Sequence, residues 1–199
     1  MKRIVIATKN KGKVREFQEL FQEKGFEVIS LFDLPNAPDI AETGSTFKEN
    51  AMLKAEGISS QINELVIADD SGLSVDYLGG KPGVFSARYA GEEKNDQKNL
   101  EKVLLEMNGV KQEQRTARFH CALALAIPNQ QTIVVEGVCE GIITTEPIGE
   151  HGFGYDPIFF VKEKNKTMAQ LTQMEKNKIS HRANALALLE KELQSETIL

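Results

Sequence analysis

Apolar and polar residues recur along the chain with two different periods, and each change of period marks an expected helix or strand. Residues 2–7 form a short β-rich run, and the polar loop Thr8–Lys13 follows it. A helix is then predicted, because apolar side chains recur at helical spacing from Val14 to Phe21. The chain therefore opens with a strand, a polar loop and an amphipathic helix.

The segment from Thr46 onward predicts a second helix and then a buried strand. Thr46 and Glu49 have the spacing of a capping box, in which each side chain bonds to the other residue's backbone N–H. The apolar run at 65–68 predicts the strand, and we expect it to end abruptly in Asp69-Asp70-Ser71-Gly72. Two carboxylates are therefore expected at the carboxyl end of this strand.

The second half of the chain mixes helices with long alternating runs. Glycine and proline over 78–91 predict a loop, and a third helix is expected over about 96–107. Alternation over 115–127 and 132–143, with a short polar connection, predicts a β-hairpin. A last helix is predicted to begin near Ser180. Since no internal repeat or long linker interrupts the pattern, we predict one domain covering all 199 residues, of the α/β class with a mixed sheet.

Composition and charge argue against some classes of protein function. The sequence is 41% hydrophobic and 27% charged, which is ordinary for a globular protein. The formal charge of −5 argues against broad nucleic-acid binding, because such binding requires a basic surface. The longest apolar run, Cys121–Ile127, is far short of a membrane span. We therefore expect neither nucleic acid nor a membrane as a partner.

The cysteines and the N-terminus indicate the cellular compartment in which the protein is expected. Cys121 and Cys139 lie in apolar surroundings without metal-ligand spacing, so isolated core thiols are expected rather than a disulfide. The first residues begin like a strand and carry no secretory cleavage pattern. We expect a cytoplasmic protein.

The loop Thr8–Lys13 has the composition of a phosphate-binding loop. It follows a strand and opens a helix, where backbone N–H groups and the helix dipole favour an anion. Lys9, Lys11 and Lys13 add positive charge, and Asn10 can donate a hydrogen bond. The loop lacks the second glycine and the Lys-Ser/Thr pair of a Walker sequence. A solvated, lysine-rich turn is the alternative interpretation.

Asp69 and Asp70 are candidate ligands or catalytic groups. Two adjacent carboxylates repel each other, and at the end of an apolar strand they are costly without a cation or hydrogen-bond donors. Such a pair could bind Mg²⁺ or activate water. Glu42, just before the second helix, could supply a further oxygen ligand. The alternatives are an Asx-type turn at the two aspartates and an exposed loop position for Glu42.

Two further segments carry polar and aromatic residues suited to a nucleotide. The segment 151–157 combines glycines with Phe153, Tyr155 and a carboxylate, so an aromatic ring there could stack on a base. The alternative is a turn whose aromatic side chains fill the core. Lys176, His181 and Arg182 form a second cationic cluster, which we place at the start of the last helix. A solvated basic helix start is the default interpretation, but cations there oppose the helix dipole, and this mismatch strengthens the case for a functional role.

Six segments, in this order, resemble the inosine triphosphate pyrophosphatase family, which hydrolyses noncanonical purine nucleoside triphosphates such as dITP and XTP. Any one segment is a weak signal, whereas six in order are specific, and together they span nearly the whole chain. The segments are residues 4–10, 42–47, 68–73, 82–89, 152–157 and 179–183.

The resemblance implies an elongated, two-lobed α/β fold with a twisted mixed sheet, an active site in the cleft between the lobes, and a homodimer. It implies that the first loop binds the triphosphate, with Lys13 the matching lysine of the family loop and Lys9 and Lys11 at variable positions. Glu42 and Asp70 match the Mg²⁺ ligands, and Asp70 also matches the proton acceptor. The positions that match substrate-binding residues are Thr8, Lys9, Asn10, Lys11, Gly12, Lys13, Ser71, Phe153, Gly154, Tyr155, Asp156, Lys176, His181 and Arg182.

The implied reaction is attack of water on the α-phosphorus, which releases a nucleoside monophosphate and pyrophosphate and removes deaminated bases from the nucleotide pool. One Mg²⁺ per subunit is expected, although Mn²⁺ accepts the same hard oxygen ligands. A nucleotide sensor without turnover is one competing class. An aspartyl-phosphate phosphatase is another, but it needs two aspartates two residues apart, a spacing absent from Asp69-Asp70-Ser71-Gly72. A structural or interaction module would leave these residues without a role.

Overall fold

A computed structural model describes residues 2–22, 25–37 and 39–195 of the chain. In these ranges helices and strands alternate, as the sequence predicts. The strands of the described residues are β1 (Lys2–Ile6), β2 (Phe26–Ser30), β3 (Val66–Val75), β4 (Thr116–Ala126), β5 (Ile133–Ile143), β6 (Phe159–Val161) and β7 (Lys166–Thr167). The helices of the same residues are α1 (Lys11–Gln22), α2 (Phe47–Ile62), α3 (Asp96–Glu106), α4 (Gln173–Lys176) and α5 (His181–Ser195).

The strands form one mixed sheet. Over the described residues its order is β2-β1-β3-β4-β5-β6-β7. Strand β1 pairs in parallel with β2 and with β3, whereas β6 pairs antiparallel with β5 and with β7. Strands β4 and β5 are neighbours joined by residues 127–132 alone, and a parallel connection would need a dozen or more residues. The predicted α/β class, mixed sheet and hairpin are therefore confirmed.

The chain divides into two compact units. The first consists of Met1–Asp70, Cys121–Gly137 and Ala183–Leu199, and the second of Ser71–His120 and Val138–Arg182. Assignment of the whole chain to one functional domain stays a prediction, as do the elongated shape and the cleft that the family resemblance implies.

In the first unit, helices pack on both faces of the sheet. Ile67 of β3 shares a buried cluster with Phe17 of α1 and Leu186 of α5. Ala68, the next residue of the strand, belongs to a second cluster with Ala51 of α2. Successive strand residues point to opposite faces, so odd-numbered residues here face α1 and α5 and even-numbered ones face α2.

The second unit has its own apolar core. Leu73 and Val75 of β3 pack there with Val103 of α3 and with Phe119 of β4. Phe119 and Phe159 pack with tilted rings whose centroids are 4.3 Å apart. This core positions the segment 152–158, because Tyr155 and Ile158 are part of it.

Strand β3 differs from its predicted length. The expected stop at Asp69-Asp70-Ser71-Gly72 is wrong, because the strand continues without interruption to Val75. Leu73 and Val75 are fully buried and extend the apolar pattern beyond the aspartates. The carboxylates do not break the strand because each has partners for its charge. Since the strand is continuous through both aspartates, the alternative of an Asx-type turn there is excluded.

Other boundaries shift by a few residues. Helix α1 begins at Lys11, inside the predicted loop, because Asn10 caps it. The loop over 78–91 contains a 3₁₀ turn at Gly83–Arg88. Strands β2, β6 and β7 and the short helix α4 were not predicted from the sequence. Across the described residues, none of the helices has an apolar stretch long enough to span a lipid bilayer.

Candidate active site

The adjacent carboxylates of β3 point in opposite directions. Asp69 shares the side of the strand occupied by Ile67, and Asp70 shares that of Ala68, so the two residues face different helices. The prediction that they act as one pair is therefore wrong, since a strand separates neighbouring side chains. Lys13 acts on both carboxylates, and each aspartate also has partners of its own.

Asp69 lies on the α1 side and is completely buried. Its Oδ1 forms an ion pair with the Lys13 ammonium. Its Oδ2 accepts a hydrogen bond from the Cys121 thiol at 3.1 Å. A buried carboxylate is costly unless paired and hydrogen-bonded, and these two contacts compensate its charge.

Asp70 lies on the α2 side in a mixed electrostatic environment. The pKa of Asp70 lies above its ordinary value, chiefly because the carboxyl is buried, and the nearby Glu42 carboxylate raises it further. The positive charges of Lys13 and Lys54 and a hydrogen bond from Asn50 act in the opposite direction and lower this pKa. Among the described residues, the buried Oδ2 atom of Asp70 has no hydrogen-bond partner. The carboxylate is therefore a stronger base than an exposed aspartate and retains an oxygen with coordination capacity.

Glu42 is held beside the start of α2. Its Oε1 forms an ion pair with Lys54 at 2.5 Å. Gly44 approaches the helix so closely that a Cβ atom there would lie 2.6 Å from the Glu49 side chain. The Gly44 N–H donates to Asn50 at 2.7 Å, and Asn50 also bonds to Asp70. One helix turn thus connects the Glu42 loop to the Asp70 carboxylate.

These carboxylates fit a magnesium ion that also binds substrate phosphates. The described residues contain no group of three or more His, Cys, Asp or Glu side chains suited to a metal. Mg²⁺ commonly uses only one or two protein carboxylates and takes its other ligands from phosphates and water. The buried Oδ2 of Asp70 and the nearby Glu42 match that requirement.

The first loop is preorganised at the N-terminus of α1. Thr8 Oγ1 accepts a hydrogen bond from the Asn10 N–H at 3.1 Å. Asn10 Oδ1 in turn accepts from the N–H groups of Gly12 (2.8 Å) and Lys13 (3.1 Å). The Asn10 side-chain oxygen therefore caps the helix, and only its amide nitrogen can serve the predicted donor role.

The three lysines of this loop have different environments. Lys13 is largely buried, with 15% of its side chain exposed, and pairs with Asp69. Lys9 forms an exposed pair with Asp39 at 3.2 Å, and Lys11 is exposed in the first turn of α1. The structure therefore holds only Lys13 against the strand that carries the aspartates.

In the second unit, Asp156 pairs with Lys176 beside the Phe153 ring. The buried Asp156 Oδ2 pairs with Lys176 Nζ at 2.7 Å and accepts from the Phe153 N–H at 3.0 Å. Lys176 Nζ also lies 5.1 Å from the centroid of the Phe153 ring, and Arg182 lies 6.0 Å from it. Gly152 is required beside them, because a Cβ atom would collide with the Asp156 carboxylate.

Arg182 and His181 are buried in the first turn of α5. Arg182 Nη2 donates to Ser71 Oγ at 3.1 Å, and its side chain is 1% exposed. His181 stacks on Phe119 with the ring centroids 4.9 Å apart. The placement of Lys176 at the start of the last helix is wrong, since it ends the short helix α4. The three predicted cations nevertheless lie in one unit with Ser71.

Tyr155 and Gly154 anchor the same segment. The Tyr155 hydroxyl donates to Ser86 O at 2.7 Å, and burial raises its pKa. The Gly154 N–H donates to Asp96 in the first turn of α3 at 3.1 Å. Phe153, rather than the core residue Tyr155, is therefore the ring available for stacking.

The predicted site residues form two groups, one in each unit. Thr8–Lys13, Glu42 and Asp70 belong to the first unit, and Ser71, Phe153–Asp156, Lys176, His181 and Arg182 belong to the second. Sequence reasoning missed Asn50, Lys54 and Cys121. Asn50 and Lys54 stand four residues apart on α2, beside its apolar stripe, and this spacing of two polar residues was the available signal.

Known proteins resemble this chain over nearly its whole length. The family model described as the Ham1 family matches residues 4–192. The chain is 64% identical over 192 residues to a dITP/XTP pyrophosphatase of Geobacillus kaustophilus, covering 96% of this chain and 94% of that protein. It is 60% identical over 195 residues to a dITP/XTP pyrophosphatase of Bacillus subtilis, with 98% of each chain covered.

Solved structures agree with the sequence matches. The Ham1 protein of Staphylococcus aureus has a TM-score of 0.86 and 47% identity, covering 98% of this chain and all 100% of its own. A HAM1 protein of Coxiella burnetii has the same TM-score, 0.86, with 43% identity and coverage of 98% and 100%. The family resemblance inferred from the sequence is thereby confirmed.

Proposed function

Because the chain belongs to the Ham1 family, we propose that it hydrolyses the noncanonical purine nucleoside triphosphates ITP, dITP and XTP to monophosphate and pyrophosphate. The observation that carries the proposal is the grouping around β3, where Lys13 pairs with Asp69 and the basic carboxylate Asp70 lies on the opposite side of the strand. The close relatives named dITP/XTP pyrophosphatases support the choice of substrate. Such an enzyme prevents deaminated bases from entering DNA or RNA.

The triphosphate is assigned to the N-terminus of α1. Asn10 fixes the first turn, and the helix dipole favours an anion there. Lys13 supplies a cation whose direction is set by Asp69, and Thr8, Lys9, Lys11 and Gly12 complete the loop. These groups stabilise the negative charge that grows on the phosphates as the bond to the α-phosphorus breaks.

We assign Glu42 and Asp70 as the residues that would hold Mg²⁺, one ion per subunit, with Mn²⁺ as the alternative. When bound, the ion neutralises phosphate charge and stabilises the leaving pyrophosphate. Lys54 has a supporting role, because its ion pair with Glu42 fixes the carboxylate and limits its repulsion with Asp70.

Asp70 is the proposed proton acceptor. Without a bound ion, burial raises its pKa, and its carboxylate would accept a proton from the attacking water. Asn50 keeps the carboxylate in one orientation through its hydrogen bond.

The purine is assigned to the second unit. Phe153 offers a ring for stacking, held by the Asp156–Lys176 pair. Arg182 can donate hydrogen bonds but cannot accept them, and His181 can donate through a ring N–H, so they match the 6-oxo group of hypoxanthine or xanthine. Adenine presents a donor at that position and would leave them unpaired.

A nucleotide panel tests this function. Purified protein is incubated with ITP, dITP, XTP, ATP and GTP, with Mg²⁺, with Mn²⁺ or with EDTA, and both orthophosphate and pyrophosphate are measured. We expect pyrophosphate and the monophosphate from the first three nucleotides, little of either from ATP, and little product in EDTA. GTP, whose base also carries a 6-oxo group, tests whether the site excludes a 2-amino group. Stepwise release of orthophosphate would contradict the proposal, and ITP binding without any product would identify a nucleotide sensor instead.

We further propose a cytoplasmic homodimer. The segment after β3 in the second unit exposes Tyr77 and Phe85 by more than half of their surface, at 53% and 55%. Large exposed apolar side chains are typical of surfaces that meet another protein. Sedimentation velocity should give the mass of a dimer, and Phe85→Ser should shift it toward the monomer.

The nucleotide pool that such an enzyme serves, and the two buried free thiols, support the compartment.

A further inference from the structure

Cys121 has a hydrogen bond that no sequence motif indicates. It lies on β4 in the first unit, 1% exposed, and its Sγ is 3.1 Å from Asp69 Oδ2. On β4, the neighbouring side chains Ala122 and Leu123 are fully buried and apolar. A thiol is a small apolar side chain that still carries a donor, so it fits this core while serving a carboxylate.

The two oxygens of Asp69 have different partners. Oδ2 accepts from Cys121 of β4, and Oδ1 pairs with Lys13 of α1. With both oxygens engaged, rotation of the planar carboxylate about its χ2 bond breaks at least one contact. The thiol at Oδ2 therefore contributes to the orientation of Oδ1, and through it to the position of the Lys13 ammonium.

Lys13 is fixed at its other end as well. Its backbone N–H donates to Asn10 Oδ1 at 3.1 Å in the first turn of α1. The chain of contacts Cys121–Asp69–Lys13 thus sets the ammonium, while Asn10 sets the backbone from which the side chain extends. Both ends of one cation are held before any phosphate arrives.

Resting on the proposed function, we propose that Cys121 is a positioning residue, which orients the triphosphate-binding ammonium of Lys13 through Asp69. The thiol does not touch substrate. The thiol keeps Lys13 in the geometry that binds phosphate. Loss of the thiol therefore weakens triphosphate binding and leaves the preference between purine bases unchanged.

The test measures binding and turnover in matched cysteine variants. Cys121→Ala removes the donor, Cys121→Ser restores an O–H donor, and Cys139→Ala alters the other buried cysteine, whose weak contact is to Glu140 O at 4.0 Å. Affinity for inorganic tripolyphosphate is measured by calorimetry, kcat and KM for ITP are measured separately, and thermal melting reports the stability of each variant.

We expect Cys121→Ala to weaken tripolyphosphate binding and to raise the KM for ITP by roughly 2- to 10-fold, the range of an ordinary hydrogen bond, because a thiol is a weak donor even to a carboxylate. Cys121→Ser should return within about twofold of wild type, because its hydroxyl donates more strongly than a thiol. Cys139→Ala should bind as wild type. A serine variant that melts like wild type but binds as weakly as the alanine variant would overturn the proposal.

A double-mutant cycle separates positioning from general damage. In an Asp69→Asn background, which itself weakens tripolyphosphate binding, Cys121→Ala should cause no further loss, since the residue acts through that carboxylate. Equal losses in both backgrounds would contradict the proposal. If wild type binds tripolyphosphate but hydrolyses no nucleotide, the proposed function fails, and the binding cycle still decides the role of Cys121.

Discussion

Asp69 and Asp70 leave strand β3 on opposite sides, so each carboxylate has its own chemistry. Asp69 is completely buried between a lysine ammonium and a thiol, and its charge is compensated. Asp70 has a buried oxygen without a hydrogen-bond partner among the described residues and a raised pKa. The first arrangement suits a residue that orients a cation, and the second suits a base and metal ligand.

Substituting each aspartate in turn should separate these roles. Asp70→Asn keeps the shape but removes the base and a metal charge, so kcat should fall by at least ~10²-fold. Asp69→Asn should mainly raise KM, because it loosens Lys13 and leaves the base in place. Pyrophosphate release at saturating Mg²⁺ measures both variants. Near-normal kcat in Asp70→Asn would place the base elsewhere.

Arg182 permits a test of base selection. It is buried beside Phe153 and Ser71 in the second unit, and we assign its donors to the 6-oxo group. Arg182→Ala should lower kcat/KM for ITP by roughly 10- to 150-fold, the value of one charged hydrogen bond, and lower that for ATP much less. Both rates are compared at a temperature where the variant remains folded.

Lys13→Ala is the control for this experiment. Lys13 belongs to the phosphate loop, so its loss should weaken ITP and ATP alike and leave their ratio unchanged. If Arg182→Ala also leaves the ratio unchanged, Arg182 binds phosphate or only supports the fold.

At the scale of single elements, the N-terminus of α2 links local stability to the site. Thr46 and Glu49 form the predicted capping box, with Glu49 N–H donating to Thr46 Oγ1 at 3.1 Å. Hydrogen bonds from Ser45, and more weakly from Thr46, lower the pKa of Glu49 below its ordinary value. The same helix carries Asn50 and Lys54, so the cap fixes the start of the element that orients Asp70 and Glu42.

The capping box should make stability depend on pH. Because the folded state lowers the pKa of Glu49, its ionised form stabilises the protein above pH 4.5, the ordinary value. That contribution is lost as the pH falls from 4.5 through the lowered folded pKa. Glu49→Gln should therefore destabilise the protein at pH 7 and have a diminishing effect toward pH 3. Urea unfolding across this range measures the difference.

Thr46→Ala is the comparison for the same cap. It removes an uncharged acceptor, so it should cost about 1 kcal/mol at neutral pH. A Glu49→Gln effect that stays constant down to pH 3 would show that the carboxylate charge does not contribute.

At the scale of the whole molecule, the second unit is held together by a buried arginine. The Arg115 guanidinium is 2% exposed and donates to backbone carbonyls of Met107, Val110, Ile143 and Thr144. It thereby connects the end of α3 to the end of β5. Burial lowers the pKa of Arg115, the direction expected when a charged form loses water.

Removing this arginine should destabilise the protein strongly. Arg115→Met leaves those carbonyls without their donor, and relief of the buried charge offsets only part of the loss, so we expect about 2–4 kcal/mol in urea unfolding. Arg118→Met is the matched control on β4, because Arg118 pairs with Asp76 and Glu140 at the surface. Its cost should stay under about 1 kcal/mol. Equal costs for both variants would contradict this role of Arg115.

Local pattern predicted much of this architecture because its causes are local. The spacing of apolar residues identified α2, α3, α5 and the hairpin, and side-chain chemistry near Thr46 identified a cap. Strand β2 was not predicted, and the end of β3 was misplaced because carboxylates are rare in buried strands. Those carboxylates are tolerated by partners that come from α1, α2 and β4.

The sequence by itself determined the α/β class, the family, and which side chains carry charge next to glycines and aromatic rings. Only the tertiary structure decided that Asp69 and Asp70 point to opposite sides of β3, that Lys13 rather than Lys9 or Lys11 is held, and that Cys121 contacts Asp69 and Lys54 contacts Glu42. The physical reason is that periodicity and motif spacing are properties of neighbouring residues. The partner of a buried charge comes from a segment far along the chain, and its identity depends on how strands and helices pack.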